Sequence, residues 1–191
     1  MSRITIPTVE TSAIAAKPFL AAVQAQLGMV PNLMKLIGHS PAALEGYLAL
    51  SGALGKGKLN VPLREQIALA VAEHNGCDYC LSAHSYLGEH VARLSGAQIS
   101  MARLGESANP GTQAALTFAG KVLESKGHVS DADLAALHAA GFGDAEAVEI
   151  VVNVALNVLT NYVNNMAQTE VDFPKVTARQ FETPKSLASV L

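Results

Sequence analysis

The 191-residue chain has no tryptophan, only two cysteines, and aromatic side chains at 5% of its positions. Two cysteines cannot build a disulfide framework, which sets the chain apart from small stapled secreted domains. Charge is scarce as well, at 15%, and thirteen Lys plus Arg against sixteen Asp plus Glu leave a formal charge of -3. With no basic patch, sequence-independent binding to nucleic acid lacks its electrostatic term. Long apolar runs are missing too: QIALAVA at 66–72 and IVVNVALNVL at 150–159 are short or broken by Asn. A membrane span needs roughly 18 apolar residues in a row, so none is expected. The opening MSRITIPTVE has no apolar signal core, and a cytoplasmic protein is the expectation. No Gly-rich turn follows a strand, so no flavin, haem or nucleotide motif is found and no cofactor is implied. Hydrophobic residues are plentiful at 50%, enough to bury a sizeable core and too many for a disordered chain.

The pattern along the chain is helical, with no run of alternating β-branched residues that would make a strand. Residues 1–16, with Pro7 and several Thr, read as an extended segment. Pro18 opens a helix to Gly28, Pro31 a short one to Gly38, and Ser40-Pro41 caps and starts another through about Leu54. GKGKLN at 55–60 is a loop, and Pro62 begins a helix ending near Asn75-Gly76. The next helix starts at the cysteines and runs to about Leu94, where Ser95-Gly96 breaks it. Asn109-Pro110-Gly111 separates two further segments, and Ser130 with Asp133 resembles a capping box. Gly141 and Gly143 end that helix, and Asp144 caps the last one, 145 to about 168. The predicted architecture is all-α, with a helical domain over 17–170 and a tail or arm over 171–191.

The last helix carries Val148, Val151, Val152, Ala155, Leu159 and Tyr162 at helical spacing, a stripe predicted to face a core. Its other face carries Glu149, Asn153, Asn157, Thr160 and Asn164. A stripe of Asn rather than Lys or Glu points to a neighbouring helix, in the chain or across a subunit boundary. Plain exposure is the alternative, since Asn is mostly a surface residue. Residues 65–84 and 149–168 also look alike: Glu65 precedes Cys77 by twelve positions and Glu149 precedes Asn161 by twelve. Cys77 and Cys80 then align with Asn161 and Asn164. A helical unit used twice and chance both account for that.

The chemistry concentrates at Cys77-Asp78-Tyr79-Cys80 and His84. Asn75-Gly76 stops one helix, so Cys77 starts the next, where free N–H groups favour negative charge. Cys80 lies one turn on and His84 one turn further, all on one face. The dipole at a helix start is worth roughly 0.3–1 kcal/mol when exposed, whereas an imidazole within reach can take the proton and orient the sulfur. Asp78 also opposes charge on Cys77. Cys80 is therefore the expected nucleophile and Cys77 the resolving thiol. Glu65, in the first turn of its helix, admits two readings: a partner of the helix dipole, or a carboxylate orienting His84. A Cys-x-x-Cys with His could also hold zinc, with Glu65, Glu73 or His74 as a fourth ligand. His39, His90, His128 and His138 have no such company, and Tyr47 and Tyr86 give no reason to prefer a pocket over packing.

Glu65, eleven intervening residues, then Cys77-x-x-Cys80-x-x-x-His84 resembles the signature of the alkylhydroperoxidase D-like proteins of the carboxymuconolactone decarboxylase superfamily. Residues 130–168 resemble that family's C-terminal helices, and the likeness covers about 17–170. The resemblance implies an all-α fold with a repeated helical unit and a homo-oligomer, trimer or hexamer. It implies that Cys80 attacks a hydroperoxide, Cys77 resolves the sulfenate as a disulfide, and Glu65 and His84 relay protons. It further implies an external dithiol reductant, a dihydrolipoyl group in related proteins. The best-known members carry His where this chain has Tyr79, and a phenol of pKa about 10 is no base at neutral pH. The family's lactone decarboxylases lack the cysteine pair. A thiol-dependent peroxidase is the expectation. A disulfide reductase or redox adaptor, a zinc site at Cys77, Cys80 and His84, and an oxidation-sensing oligomer are the alternatives.

Overall fold

Short polar side chains mark where the helices begin, because the first N–H groups of a helix lack partners along the chain. Ser40, Asn60, Ser95, Asn109 and Ser130 each accept the N–H three residues on. The computed structural model describes residues 2–179; Met1 and residues 180–191, with Pro184 and much of the expected tail, lie outside the described residues. The helices are α1 Lys17–Leu27, α2 Asn32–Ile37, α3 Pro41–Leu54, α4 Val61–His74, α5 Asp78–His90, α6 Gly96–Ala102, α7 Pro110–Ser125, α8 Asp131–Ala139 and α9 Asp144–Ala167. Among the described residues there is no strand, and no helix is long and apolar enough to cross a membrane.

Boundaries depart from expectation where a cap outranks the nearest breaker. Asn60 caps α4, so Pro62 is its second residue rather than its first. α5 stops at His90, short of Leu94, and Ser95 opens α6 with a capping box to Gln98 instead of only ending what precedes it. Gly143, not Asp144, caps α9, and the Glu146 carboxylate accepts its N–H at 3.0 Å. The segment before α1 is not wholly extended: Thr8 and Thr11 close a turn, and Ile14–Ala16 form one turn of 3-10 helix.

α4 is the spine. Leu69 and Ala72 join one apolar cluster with residues of α1, α2, α3 and α5, while Leu63, Ile67 and Val71 join another with α7, α8 and α9. Ile67 and Leu69 are both fully buried, which only a helix covered on two sides allows. The loop before α4 is pinned to α9 by Glu149, whose carboxylate accepts the N–H groups of Lys58 and Leu59. A Cβ at Gly57 would stand 2.6 Å from that carboxylate, so a larger residue there would push Glu149 off the Lys58 and Leu59 N–H groups.

The expected core face of α9 is corrected by the structure. Val148, Val151, Leu159 and Tyr162 are exposed, Tyr162 by 60%, and the inward face is Asn153, Asn157, Thr160, Asn161 and Asn164 with Ala147, Ile150 and Val154. The amides can be buried because several are satisfied by the helix itself. Asn153 Nδ2 donates to Glu149 O and Asn157 Nδ2 to Asn153 O, each at 2.8 Å, and Thr160 Oγ1 donates to Asn157 O at 2.9 Å. The look-alike segments also differ in form: the first bends at Asn75-Gly76, the second runs straight through as one helix.

After α9 the chain lies along α5 as an arm. The Asp172 carboxylate accepts Asn32 N–H at the start of α2, Val176 N–H donates to Ser82 Oγ, and Ala178 N–H donates to Asp78 Oδ1. Buried Glu73 accepts both Arg103 Nε, at 2.6 Å, and Arg179 N–H, at 2.7 Å. Arg103→Ala strips that carboxylate of its charged partner. Breaking a buried pair costs about 3 kcal/mol at the low end, or roughly 6–12 °C in Tm for a chain of this size. A thermal melt checks this, and an unchanged midpoint would show the arm to be held without the pair.

Candidate functional site

The turn Asn75-Gly76-Cys77 sets the site. Gly76 adopts φ 61°, a left-handed backbone that glycine takes without strain, and it reverses the chain so that α5 starts against the end of α4. Cys77 is then the N-cap of α5, with its Sγ accepting Cys80 N–H at 3.3 Å. The same thiol donates its proton toward Cys80 Sγ, 2.6 Å away. Both thiols are free and buried.

Their surroundings divide their roles. The hydrogen bond to Cys80, burial, and the nearby negative charges of Cys80 and Asp78 push Cys77 far above the thiol range. Burial alone would raise Cys80 too. There the Cys77 thiol, the charge of His84 and the amides of Asn164 and Asn161 outweigh burial and bring it down to about 7. Asn164 Nδ2 donates to Cys80 Sγ at 3.2 Å from the facing helix α9. One sulfur is held as a thiol, the other as an incipient thiolate.

His84 reaches back to α4. Its Nδ1 and Glu65 Oε2 are 2.8 Å apart, both groups largely covered. A carboxylate only accepts, so Nδ1 carries hydrogen and Nε2 is the nitrogen left to exchange a proton. Burial disfavours the imidazolium, but the Glu65 carboxylate and the negative charge on Cys80 overturn that and raise His84 above its ordinary value. The structure thus brings Glu65, His84, Cys80 and Cys77 together.

A cavity of about 310 Å³ opens onto this set. Cys80 and His84 line it, while Cys77 and Glu65 do not. Its walls are mostly apolar and aromatic, with Met34, Tyr47, Tyr86 and Phe173 prominent, and among the described residues no Lys, Arg, Asp or Glu lines it. A larger cleft of about 480 Å³ beside Gln66 and Glu106 lies apart from both thiols.

Several lining residues escape a sequence reading. Tyr47 comes from α3, far off in the chain, and burial with the charges of Cys80 and Glu65 pushes its phenol up to about 12. Phe173 arrives on the arm, edge-on to Tyr79 and beside Tyr86. His90, expected to be unaccompanied, stacks on Tyr86 with ring centres 4.1 Å apart and lines the same cavity. Tyr79 is structural. Its hydroxyl donates to Asp172 at 2.8 Å and accepts Leu33 N–H at 3.1 Å, tying α5 to α2 and the arm. Burial, with Asp172 alongside, raises its phenol further. Of the zinc alternatives, Glu73 is bound to Arg103 and His74 is exposed. Among the described residues no three His, Cys, Asp or Glu side chains stand together as metal ligands.

An all-α chain built round a buried Cys-x-x-Cys, with a carboxylate-held imidazole one turn on, defines a narrow class of helical protein. Residues 41–124 match the model of the carboxymuconolactone decarboxylase family. Among solved structures, the chain is similar to an alkylhydroperoxidase AhpD core from Ralstonia eutropha, described as an uncharacterized peroxidase-related protein. The two share 28% identity over 90% of this chain and 92% of that one, with a TM-score of 0.80. A peroxidase-related protein from a Silicibacter species shares 24% identity over 88% and 91% of the two chains, TM-score 0.78. The debrominase Bmp8 shares the fold at 20% identity over 90% and 91%, TM-score 0.73. No curated protein matches. Residues 41–124 thus carry the pattern of the carboxymuconolactone decarboxylase family, and the chain as a whole is similar in fold to the alkylhydroperoxidase AhpD core.

Proposed function

We propose that the chain is a thiol-dependent peroxidase that reduces neutral, apolar organic hydroperoxides. The observation that carries this is the division between the sulfurs: Cys80 faces the cavity with its thiol drawn down to about 7, while Cys77 stands behind it, protonated and in contact. Cys80 thiolate attacks the outer peroxide oxygen, the O–O bond breaks, and the departing alkoxide takes a proton from His84 Nε2. Cys77 then attacks the Cys80 sulfenic acid, forming the disulfide and releasing water. An external dithiol, such as a dihydrolipoyl group, returns both thiols by exchange. Glu65 holds the His84 ring in the tautomer this requires and favours its protonated form.

The largely apolar, aromatic wall selects the substrate, since beyond the reacting Cys80 and His84 it offers a charged substituent no partner. Consumption of cumene hydroperoxide with dihydrolipoamide as reductant, set beside hydrogen peroxide, is the test. A kcat/KM at least about tenfold higher for cumene hydroperoxide is expected, as an apolar ring gains roughly 25 cal/mol per Å² on burial. Lipoamide turnover without peroxide consumption would instead favour a disulfide reductase or redox adaptor.

Self-association is part of the proposal. The outward face of α9 presents Val148, Leu159, Tyr162 and Met166, each more than 40% exposed, a contiguous apolar strip that a second copy would cover. The double variant Leu159→Glu with Tyr162→Glu is expected to shift the protein to monomer in light scattering. An assembly indifferent to both changes would place the interface elsewhere.

A further inference from the structure

Beside Cys80, on the facing helix α9, lies a buried set of amides that the peroxidase cycle as written leaves unused. Asn161 is fully buried and Asn164 is 2% exposed. Asn161 is fixed in orientation: its Oδ1 accepts Asn75 Nδ2 at 2.9 Å, and Asn75 is itself held through its carbonyl by Asn165 Nδ2 at 2.8 Å. That leaves Asn161 Nδ2, a buried donor, with no acceptor, and Asn164 Oδ1 is likewise unpartnered. Buried amide donors are almost always satisfied, and an orphan beside a reactive atom points to a partner that arrives during the reaction. Asn164 already touches Cys80 Sγ, and Asn161 lies one turn before it on the same face of α9.

We propose that Asn161 and Asn164 form an amide cradle for the oxygen that Cys80 acquires from the hydroperoxide. This rests on the peroxidase reading of the same site. Before reaction, Asn164 Nδ2 donates to the thiolate, while Asn161 Nδ2 stands near enough to help draw the thiol down but makes no hydrogen bond of good geometry. As the sulfur gives its electron pair to the outer peroxide oxygen, the S–O bond forms and the O–O bond breaks. The sulfur is oxidised to the sulfenic acid level, and the alkoxide leaves as alcohol with the His84 proton. The oxygen now on sulfur carries partial negative charge and accepts Asn161 Nδ2–H. Such a donor contributes mainly where charge develops, as in an oxyanion hole. It is also the second use of the sequence likeness noted above: the pair aligned with Cys77 and Cys80 faces that pair in space and serves it.

The test separates thiolate reactivity from oxygen transfer in the Cys77→Ser background, where the sulfenate persists. Iodoacetamide alkylation at pH 9, where Cys80 is ionised, reads the thiolate alone. Dimedone capture after cumene hydroperoxide, followed by mass spectrometry, reads the sulfenate and its rate of formation. Asn161→Leu is expected to slow sulfenate formation about a hundredfold and alkylation less than about threefold. Asn164→Leu is expected to slow both at pH 7, because it already bonds the thiolate. Equal slowing of both reactions by Asn161→Leu, or no slowing of either, would overturn the cradle and leave the peroxidase reading standing. Should Asn161→Leu melt early by circular dichroism, Asn161→Ser carries the same unequal expectation in a smaller side chain. Absence of any sulfenate while Asn161 is intact would sink the peroxidase reading and the cradle with it.

Discussion

Cys80→Ser is expected to reduce hydroperoxide turnover to the uncatalysed background, whereas Cys77→Ser is expected to complete one oxidation and stop. The asymmetry follows from geometry. Cys80 lines the cavity and Cys77 does not, so a peroxide meets only one sulfur. Their protonation states reinforce this, with Cys80 down to about 7 and Cys77 pushed well up by its hydrogen bond to Cys80 and by burial. In the Cys77→Ser protein the sulfenate has no thiol beside it and can be captured by dimedone, one equivalent per chain. Multiple turnovers in Cys80→Ser, or a sulfenate on Cys77, would reverse the assignment. On the proposed cycle the two thiols act as one unit, so the double variant is expected to be no worse than Cys80→Ser alone.

The second large effect concerns protons. His84→Ala is expected to lower kcat/KM about 10²–10⁴-fold, the usual worth of a positioned acid or base. Glu65→Gln is the more informative change. Cys80 becomes thiolate as pH rises through about 7, so activity climbs there. His84 must be protonated to release the alcohol, so activity falls as pH passes its raised pKa. Burial opposes the imidazolium, and Glu65 is the largest influence holding it charged. Without the carboxylate, the falling limb moves to lower pH. The Cys80 limb moves to higher pH, because a less charged His84 favours the thiolate less. The bell in kcat/KM should narrow from both sides and drop in height. A profile displaced as a whole, or unmoved, would show that Glu65 serves only the helix start.

The helices and the Cys-Cys-His face were legible because they depend on short-range rules: caps, first-turn prolines, and the 3.6-residue period. The contact of Glu65 with His84 was one of two readings the residues left open, and only the resemblance favoured it, since it joins two helices and depends on the turn at Gly76. The orientation of α9 was misread for a physical reason. Hydrophobic periodicity assigns the apolar stripe to the core, but Asn153 and Asn157 can be buried cheaply because they bond the helix backbone one turn earlier. The Val and Tyr stripe was then left outside. Tyr47, Phe173 and Asp172 meet the site from distant parts of the chain, and local spacing carries no trace of that. The alignment of Asn161 and Asn164 with the two cysteines was visible, although its use lies in the packing of α9 on α5.

The placement of Cys77 behind Cys80 has a kinetic consequence. On the proposed cycle, an incoming dithiol reaches the disulfide through the cavity and must attack Cys80, which makes Cys77 the leaving group. Burial and the Asp78 charge, which raise the Cys77 thiol independently of Cys80, disfavour its departure as thiolate. With that departure limiting the proposed cycle, most molecules are expected to stand as the disulfide during steady turnover. Acid quenching in mid-reaction would find few free thiols, and the rate would follow the reductant concentration while ignoring the peroxide. The protein would behave as a rechargeable store of oxidising equivalents, paced by whatever slender dithiol can thread the pocket.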